Sequence, residues 1–308
     1  KMRKQTRMKA TTNRRIITWL LRIWLGCMAL FTVKFFAAYV IEWRAQTAYP
    51  SFEEHTRKYH STLEMQLAMK LDNDANPYYT WFDLTKTIDT GVDADAEGGE
   101  AMKIYAFGPV QDVHKFRRRV MIVCGQHGRE LVSAELCFTL IRLIQLYVRD
   151  DRDFTATVAR HTLNDVGYWI VPVMSPWARW QVEAGGPARQ CQRTNGQHVD
   201  LNRNFPNAHK QTKVRIVGDE TYAGEGPLSE YESKAVDKFI DFVEPHLFYN
   251  VHSGGNEILL PYDGTYDILP PNYEKMLTLA RYAKEASGCK TCGLGMSSVL
   301  YNDREDQA

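Results

Sequence analysis

Apolar and polar positions follow two different periods along the chain, and the switches between them mark the expected elements. An apolar run over residues 16–41 comes first, interrupted by Arg22 and Lys34. Over residues 51–74, Leu63, Leu67, Met69 and Leu71 recur among polar positions, which predicts a helix opening a folded domain near Tyr59. Residues 103–107 and 119–124 read as strands, the second a short apolar run of the kind buried on both faces of a mainly parallel sheet. From Glu130 the period lengthens, with Leu136, Leu140, Leu143 and Tyr147 at helical spacing. Gly167 opens a strand over 168–174. Ser229-x-x-Glu232 reads as a capping box before the apolar positions Val236, Phe239, Ile240 and Val243, and a strand follows at 247–251. A helix over about 273–287 and a strand around 296–301 complete the series. Strands alternating with helices predict an α/β fold, a mixed, mostly parallel sheet flanked by helices, preceded by an N-terminal hydrophobic helix. Ligands in such sheets gather at the carboxyl ends of strands, which here are followed by His127 and His252.

Composition adjusts this picture at the ends. With 308 residues, 44% hydrophobic and 24% charged, the chain suits one large domain plus a short appendage. A net charge of +1 argues against a global basic field, so no nucleic-acid partner is expected. Lys1, Arg3, Lys4, Arg7, Lys9, Arg14, Arg15 and Arg22 all precede the first acidic residue, Glu42. Residues 1–48 therefore read as a basic leader with a signal-anchor or transmembrane segment, basic side cytoplasmic and the remainder lumenal or extracellular. Cleavage of that segment would make the protein secreted. Residues 89–100 hold five acidic side chains and three glycines and read as an exposed loop. Among six cysteines, Cys289-x-x-Cys292 reads as a local structural disulfide, and no dense disulfide framework is expected.

Three strings carry the chemistry: His127-Gly128-Arg129-Glu130, then Asp200-Leu201-Asn202-Arg203-Asn204-Phe205-Pro206, then His252-Ser253-Gly254. The first and last supply two imidazoles and a carboxylate, a set that suits catalytic zinc with one position left open for water. Arg203 beside Asn202 offers a fork of donors and an amide for a substrate carboxylate. Arg193, in Gln192-Arg193-Thr194-Asn195, is placed to polarise a scissile carbonyl and stabilise its oxyanion. The plain structural alternative has Asp200 and Arg203 in ion pairs with each other or with neighbours.

The order of these strings, with Tyr222-x-Gly224 to Ser229-Glu230 between the second and third, resembles the zinc metallocarboxypeptidase family from about Tyr59 to near the C-terminus. The resemblance implies Zn2+ on His127, Glu130 and His252, the carbonyl oxygen held by Arg193, and the substrate's terminal carboxylate held by Asn202 and Arg203. Arg129 matches a position that contacts substrate further upstream in digestive members. The string from Asp200 to Pro206 is closer to the regulatory branch typified by carboxypeptidases E, D, M and N. In that branch an acid at the position of Asp263 selects C-terminal Lys or Arg, although an Asp-Gly turn explains Asp263 as well. Peptide or protein C-termini, and a membrane through the N-terminal segment, are the expected partners.

The family places its general-base Glu and a substrate-capping Tyr beyond the strand at 296–301, where this sequence holds residues 302–308. The expectation is therefore a catalytic domain over 59–308 with its C-terminal part missing, and a chain that lacks its own general base. Two alternatives follow: a non-catalytic zinc protein that receives peptide C-termini, and an aspartoacylase-like amidohydrolase, which shares HxxE, an Asn-Arg pair and a later His.

Overall fold

Three strands that run parallel lie in one sheet, which supports a core on each face. In the computed structural model, which describes residues 59–72, 79–87, 103–149, 162–185, 187–206, 216–263, 265 and 267–300, these strands are β3 (Arg118–Val123), β4 (Val166–Val171) and β5 (Leu247–Asn250). Together with β1 (Thr80–Asp83) and β2 (Tyr105–Gly108) they form a five-stranded sheet in the order β1-β2-β4-β3-β5. β3 pairs in parallel with β4 and β5, while β2 runs antiparallel to β1 and β4. A second, two-stranded parallel sheet joins β6 (Glu257–Leu260) to β7 (Gly293–Met296). The expected leader, the acidic stretch at 89–100 and residues 302–308 lie outside the described residues. The chain divides into two compact units, Lys1–Lys58 with Asp151–Val158 and Tyr59–Asp150 with Ala159–Ala308, and every described residue belongs to the second.

On one face, Met121, Val123, Trp169 and Val171 pack against Val236, Phe239 and Val243 of α4 (Tyr231–Val243). On the other, Ile122, Cys124 and Ile170 pack against Ala134, Cys137, Phe138, Ile141 and Ile144 of α2 (Leu131–Arg149). Trp169 is fully buried and keeps its indole N–H satisfied by donating to the Pro109 carbonyl at 2.8 Å. A Cys124–Cys137 disulfide crosses from the end of β3 to α2, and Cys289 pairs with Cys292.

Several local expectations are corrected. The buried stripe of α2 is not the one carrying Leu136, which is 56% exposed; that helix has two apolar stripes, and the sheet takes the one with the small residues Ala134 and Cys137. In α1 (Thr62–Asp72), Leu63 and Leu67 face outward and Met65 is the buried anchor. The helix starts with a capping box at Ser61-x-x-Glu64, where each side chain accepts from the other residue's backbone N–H. Ser229 and Glu232 make no such box, because Asn195 draws the buried Glu232 carboxylate inward and Ser229 donates to Glu230. The strand expected at 168–174 runs from Val166, with Gly167 inside it. The last expected strand lies earlier, at Gly293–Met296, and residues 297–300 turn helical; Met296, Val299 and Leu300 stand at i, i+3, i+4 spacing, and Ser298 ties this turn to the Thr265 carbonyl.

The two stripes of α2 give a direct check. Ile141→Ala should destabilise the domain by ~2–5 kcal/mol in denaturant unfolding, whereas Leu136→Ala should stay within about 0.5–1 kcal/mol of the parent. Equal losses would contradict this helix orientation.

Candidate metal centre

The turn from β3 into α2 is built by close backbone packing. Gly125 has φ +60°, and a Cβ on Gly128 would lie 2.3 Å from the Ala178 carbonyl oxygen, so only glycine permits the approach of α3 (Pro176–Glu183) behind the loop. Ser133 closes the turn, accepting from the Gly125 N–H and donating to the Glu130 carbonyl. Asn250 at the end of β5 donates to Gln126 at 2.7 Å and ties the two strand ends together. His127 follows β3 and His252 follows β5, so both imidazoles emerge at carboxyl ends of adjacent parallel strands.

His127, Glu130 and His252 converge, with one potential ligand atom from each within 4.8 Å of the others. Glu130 bridges the rings: Oε1 lies 2.7 Å from His127 Nδ1 and Oε2 lies 2.9 Å from His252 Nδ1. The ring centroids stand 5.0 Å apart. The opposite nitrogen of His127, Nε2, lies 3.1 Å from Asp200 Oδ1. Asp200, fully buried, also accepts from Arg193 Nε at 3.0 Å, from Arg193 Nη2 at 2.7 Å and from the Asn202 N–H at 2.9 Å. Burial would push the Glu130 carboxyl upward, but hydrogen bonds from His127 and His252 outweigh it and hold the group at about 2. Asp200 is likewise lowered, with burial opposed by His127 and Arg193.

The donor set fits zinc. Both imidazoles turn Nδ1 toward a carboxylate that is held ionised, so a cation between them would take the place of the protons those hydrogen bonds require. Asp200 on the far nitrogen of His127 supplies the outer carboxylate that typically fixes a ligating ring. Sequence reasoning left Asp200 as an ion-pair partner of Arg203 or of neighbours; its partners are Arg193 and His127. The signal available was its place seven residues after Arg193, and the close approach to His127 is a tertiary fact.

The remaining candidates divide. Arg193 joins the cluster, its side chain 14% exposed and Nη1 3.4 Å from His127 Nδ1. Asn202 and Arg203 sit on a 3-10 turn, Leu201–Arg203, capped by the Asp200 side chain; Asn202 is exposed and Arg203 half-buried. Arg129 is not part of this cluster's hydrogen bonding and pairs with Glu220 at 3.2 Å. Asp263 is exposed.

A family model described as zinc carboxypeptidase matches residues 94–297, and the chain belongs to that family. Human carboxypeptidase O is 27% identical over 182 residues, covering 56% of this chain and 47% of its own length. A Saccharomyces cerevisiae protein named inactive metallocarboxypeptidase ECM14 is 24% identical over 230 residues, covering 67% of this chain and 50% of its own. The chain thus spans about half the length of these curated relatives. Bovine thrombin-activatable fibrinolysis inhibitor, solved in complex with tick carboxypeptidase inhibitor, shares the fold with a TM-score of 0.61 at 20% identity, covering 79% of this chain and 78% of that one.

The depressed Glu130 carboxyl sets an acid limit. Its ionised form contributes stability that is complete above its ordinary value of about 4.5 and is lost as pH falls through about 2. Metal-stripped protein should therefore lose stability between pH 4.5 and 2 in denaturant titrations, and Glu130→Gln should flatten that loss. An unchanged acid slope in the variant would contradict the assignment.

Proposed function

We propose that this chain carries the zinc site of a metallocarboxypeptidase that removes the C-terminal residue of peptides or proteins. The observation that carries the reading is the convergence of His127, Glu130 and His252 beside a buried Asp200–Arg193 pair. Zinc, when bound, supplies a Lewis acid that polarises the scissile carbonyl and makes water nucleophilic near neutral pH. Asp200 holds the His127 ring so that Nδ1 faces Glu130. Arg193, anchored through Nε and Nη2 on Asp200, keeps Nη1 toward the ligands, where it can donate to a carbonyl oxygen as negative charge develops there. Asn202 and Arg203, set on the turn that Asp200 caps, are the proposed clamp for the terminal carboxylate. Arg129 would contact the peptide upstream of the cleaved bond. Asp263 would favour C-terminal Lys or Arg through its charge.

The cysteines support a reading of the compartment. Two disulfides, one buried beside the metal loop, favour an oxidising, lumenal or extracellular setting. No helix among the described residues is long and apolar enough to cross a membrane. Anchoring through residues 1–48, or secretion after their cleavage, rests on the sequence pattern alone.

One observation favours a second reading, a zinc protein that holds peptide C-termini without cutting them. Among the described residues, the carboxylates touching the two histidines of the centre are Glu130, itself a ligand, and Asp200, committed to His127 and Arg193. Neither is available as the general base, whose contribution is roughly 10²–10⁴ in rate. A relative that is named an inactive metallocarboxypeptidase is in keeping with a member that does not cleave.

Release of C-terminal Arg, Lys or Phe from blocked peptides by the zinc-loaded protein separates the readings. Cleavage that Arg193→Ala abolishes supports the peptidase; zinc-dependent peptide binding with no cleavage supports the receptor. Absence of both binding and cleavage would overturn both.

A further inference from the structure

Arg129 occupies the rim of the metal loop, between ligands His127 and Glu130 in sequence, with its side chain 35% exposed. Its position is fixed twice. The backbone N–H donates to the Gln192 carbonyl at 2.8 Å, and side-chain Nη1 donates to the Cys191 carbonyl at 3.4 Å. The same Nη1 also donates to both oxygens of Glu220, at 3.4 and 3.2 Å. Among the described residues, Nε and Nη2 make no hydrogen bond, so one edge of the guanidinium keeps its donors while Glu220 counters its charge.

Glu220 is in turn held by a turn that belongs to the centre. The Tyr222 N–H donates to the Asp219 carbonyl, and the Tyr222 carbonyl accepts the N–H of Asp200 at 2.8 Å. The Asp219 side chain accepts from both the N–H and the hydroxyl of Thr221, at 2.7 and 2.6 Å. Glu220 therefore sits on a turn whose backbone is tied to the metal-centre carboxylate.

We propose that Glu220 is a specificity-determining residue that acts through Arg129, setting which side chains the site accepts upstream of the cleaved bond. This rests on the peptide reading given above. With Glu220 in place, Arg129 offers hydrogen bonds to a neutral acceptor such as a peptide carbonyl, while an acidic side chain gains nothing from a charge already cancelled and meets the Glu220 carboxylate as well. Neutral and basic residues are accepted and acidic ones are disfavoured. Removing the Glu220 charge leaves Arg129 uncompensated and turns the same rim toward acidic peptides.

The test uses the zinc-loaded chain and blocked peptides ending X-Ala-Arg or X-Ala-Phe, with X Glu, Gln or Lys, read by fluorescence anisotropy. Glu220→Gln should shift the Glu-to-Lys affinity ratio toward Glu by roughly three- to tenfold, the scale of one screened surface charge a few ångströms from the ligand. In an Arg129→Gln background the same substitution should move the ratio by less than about twofold, because the coupled partner is gone. A ratio unmoved by Glu220→Gln, or a shift undiminished without Arg129, overturns the inference and leaves the peptide reading standing. Loss of all peptide binding in every variant with zinc retained overturns the peptide reading and this inference together.

Discussion

The Asp200 carboxylate is fully buried and ionised, and the candidate centre depends on how that charge is satisfied. An isolated buried carboxylate costs several kcal/mol, and removing one partner of a buried pair typically costs ~3–5 kcal/mol because the other charge is left uncompensated. Asp200 avoids that penalty with four donors: two from Arg193, one from His127 and the backbone N–H of Asn202. Those partners come from three separate strings, at 127–130, 192–195 and 200–206. One carboxylate thus fixes the ring plane of His127, the reach of Arg193 beside it and the turn that presents Asn202 and Arg203.

The rest of the fold holds the second carboxylate, Glu130, where it can meet both imidazoles. Parallel pairing of β3 and β5 sets His127 and His252 side by side, and the Asn250–Gln126 hydrogen bond locks the two strand ends in register. Behind the loop, Gly128 lets α3 approach to contact distance, and the buried Arg179 of α3 donates to the carbonyls of His60 and Leu131. The Cys124–Cys137 disulfide closes a covalent loop that contains both His127 and Glu130. Restricting that loop lowers the conformational entropy that assembling the ligands must overcome.

The convergence of His127, Glu130 and His252 was legible in the sequence because each sits in a short string just past an apolar strand, and strand ends in parallel sheets are where sites form. The mixed, mostly parallel sheet was legible for the same reason. Asp200 was not, since a carboxylate three residues from Arg203 and seven from Arg193 has two equally local partners, and tertiary contact with His127 decides between them. The spacing of Leu136, Leu140, Leu143 and Tyr147 marked α2 as a helix without fixing its buried face, because Ala134 and Cys137, which the sheet takes, carry little hydropathy signal. The Ser229–Glu232 box failed through Asn195, more than thirty residues away. Met296, Val299 and Leu300 stand at helical i, i+3, i+4 spacing, but a segment this short gives too few positions for periodicity to place the end of the preceding strand. The likeness to the carboxypeptidase E, D, M and N branch is carried by the 200–206 string and the position of Asp263, whereas the relatives matched over longer stretches include carboxypeptidase O and the inactive yeast protein.

Zinc affinity measured by competition with a chelator tests the central claim most directly. The chain should bind zinc stoichiometrically, Asp200→Ala should bind it roughly 10- to 100-fold more weakly through loss of the group that orients His127, and His127→Ala should not bind it at the site. Stoichiometric zinc in His127→Ala, or native affinity in Asp200→Ala, would contradict the account.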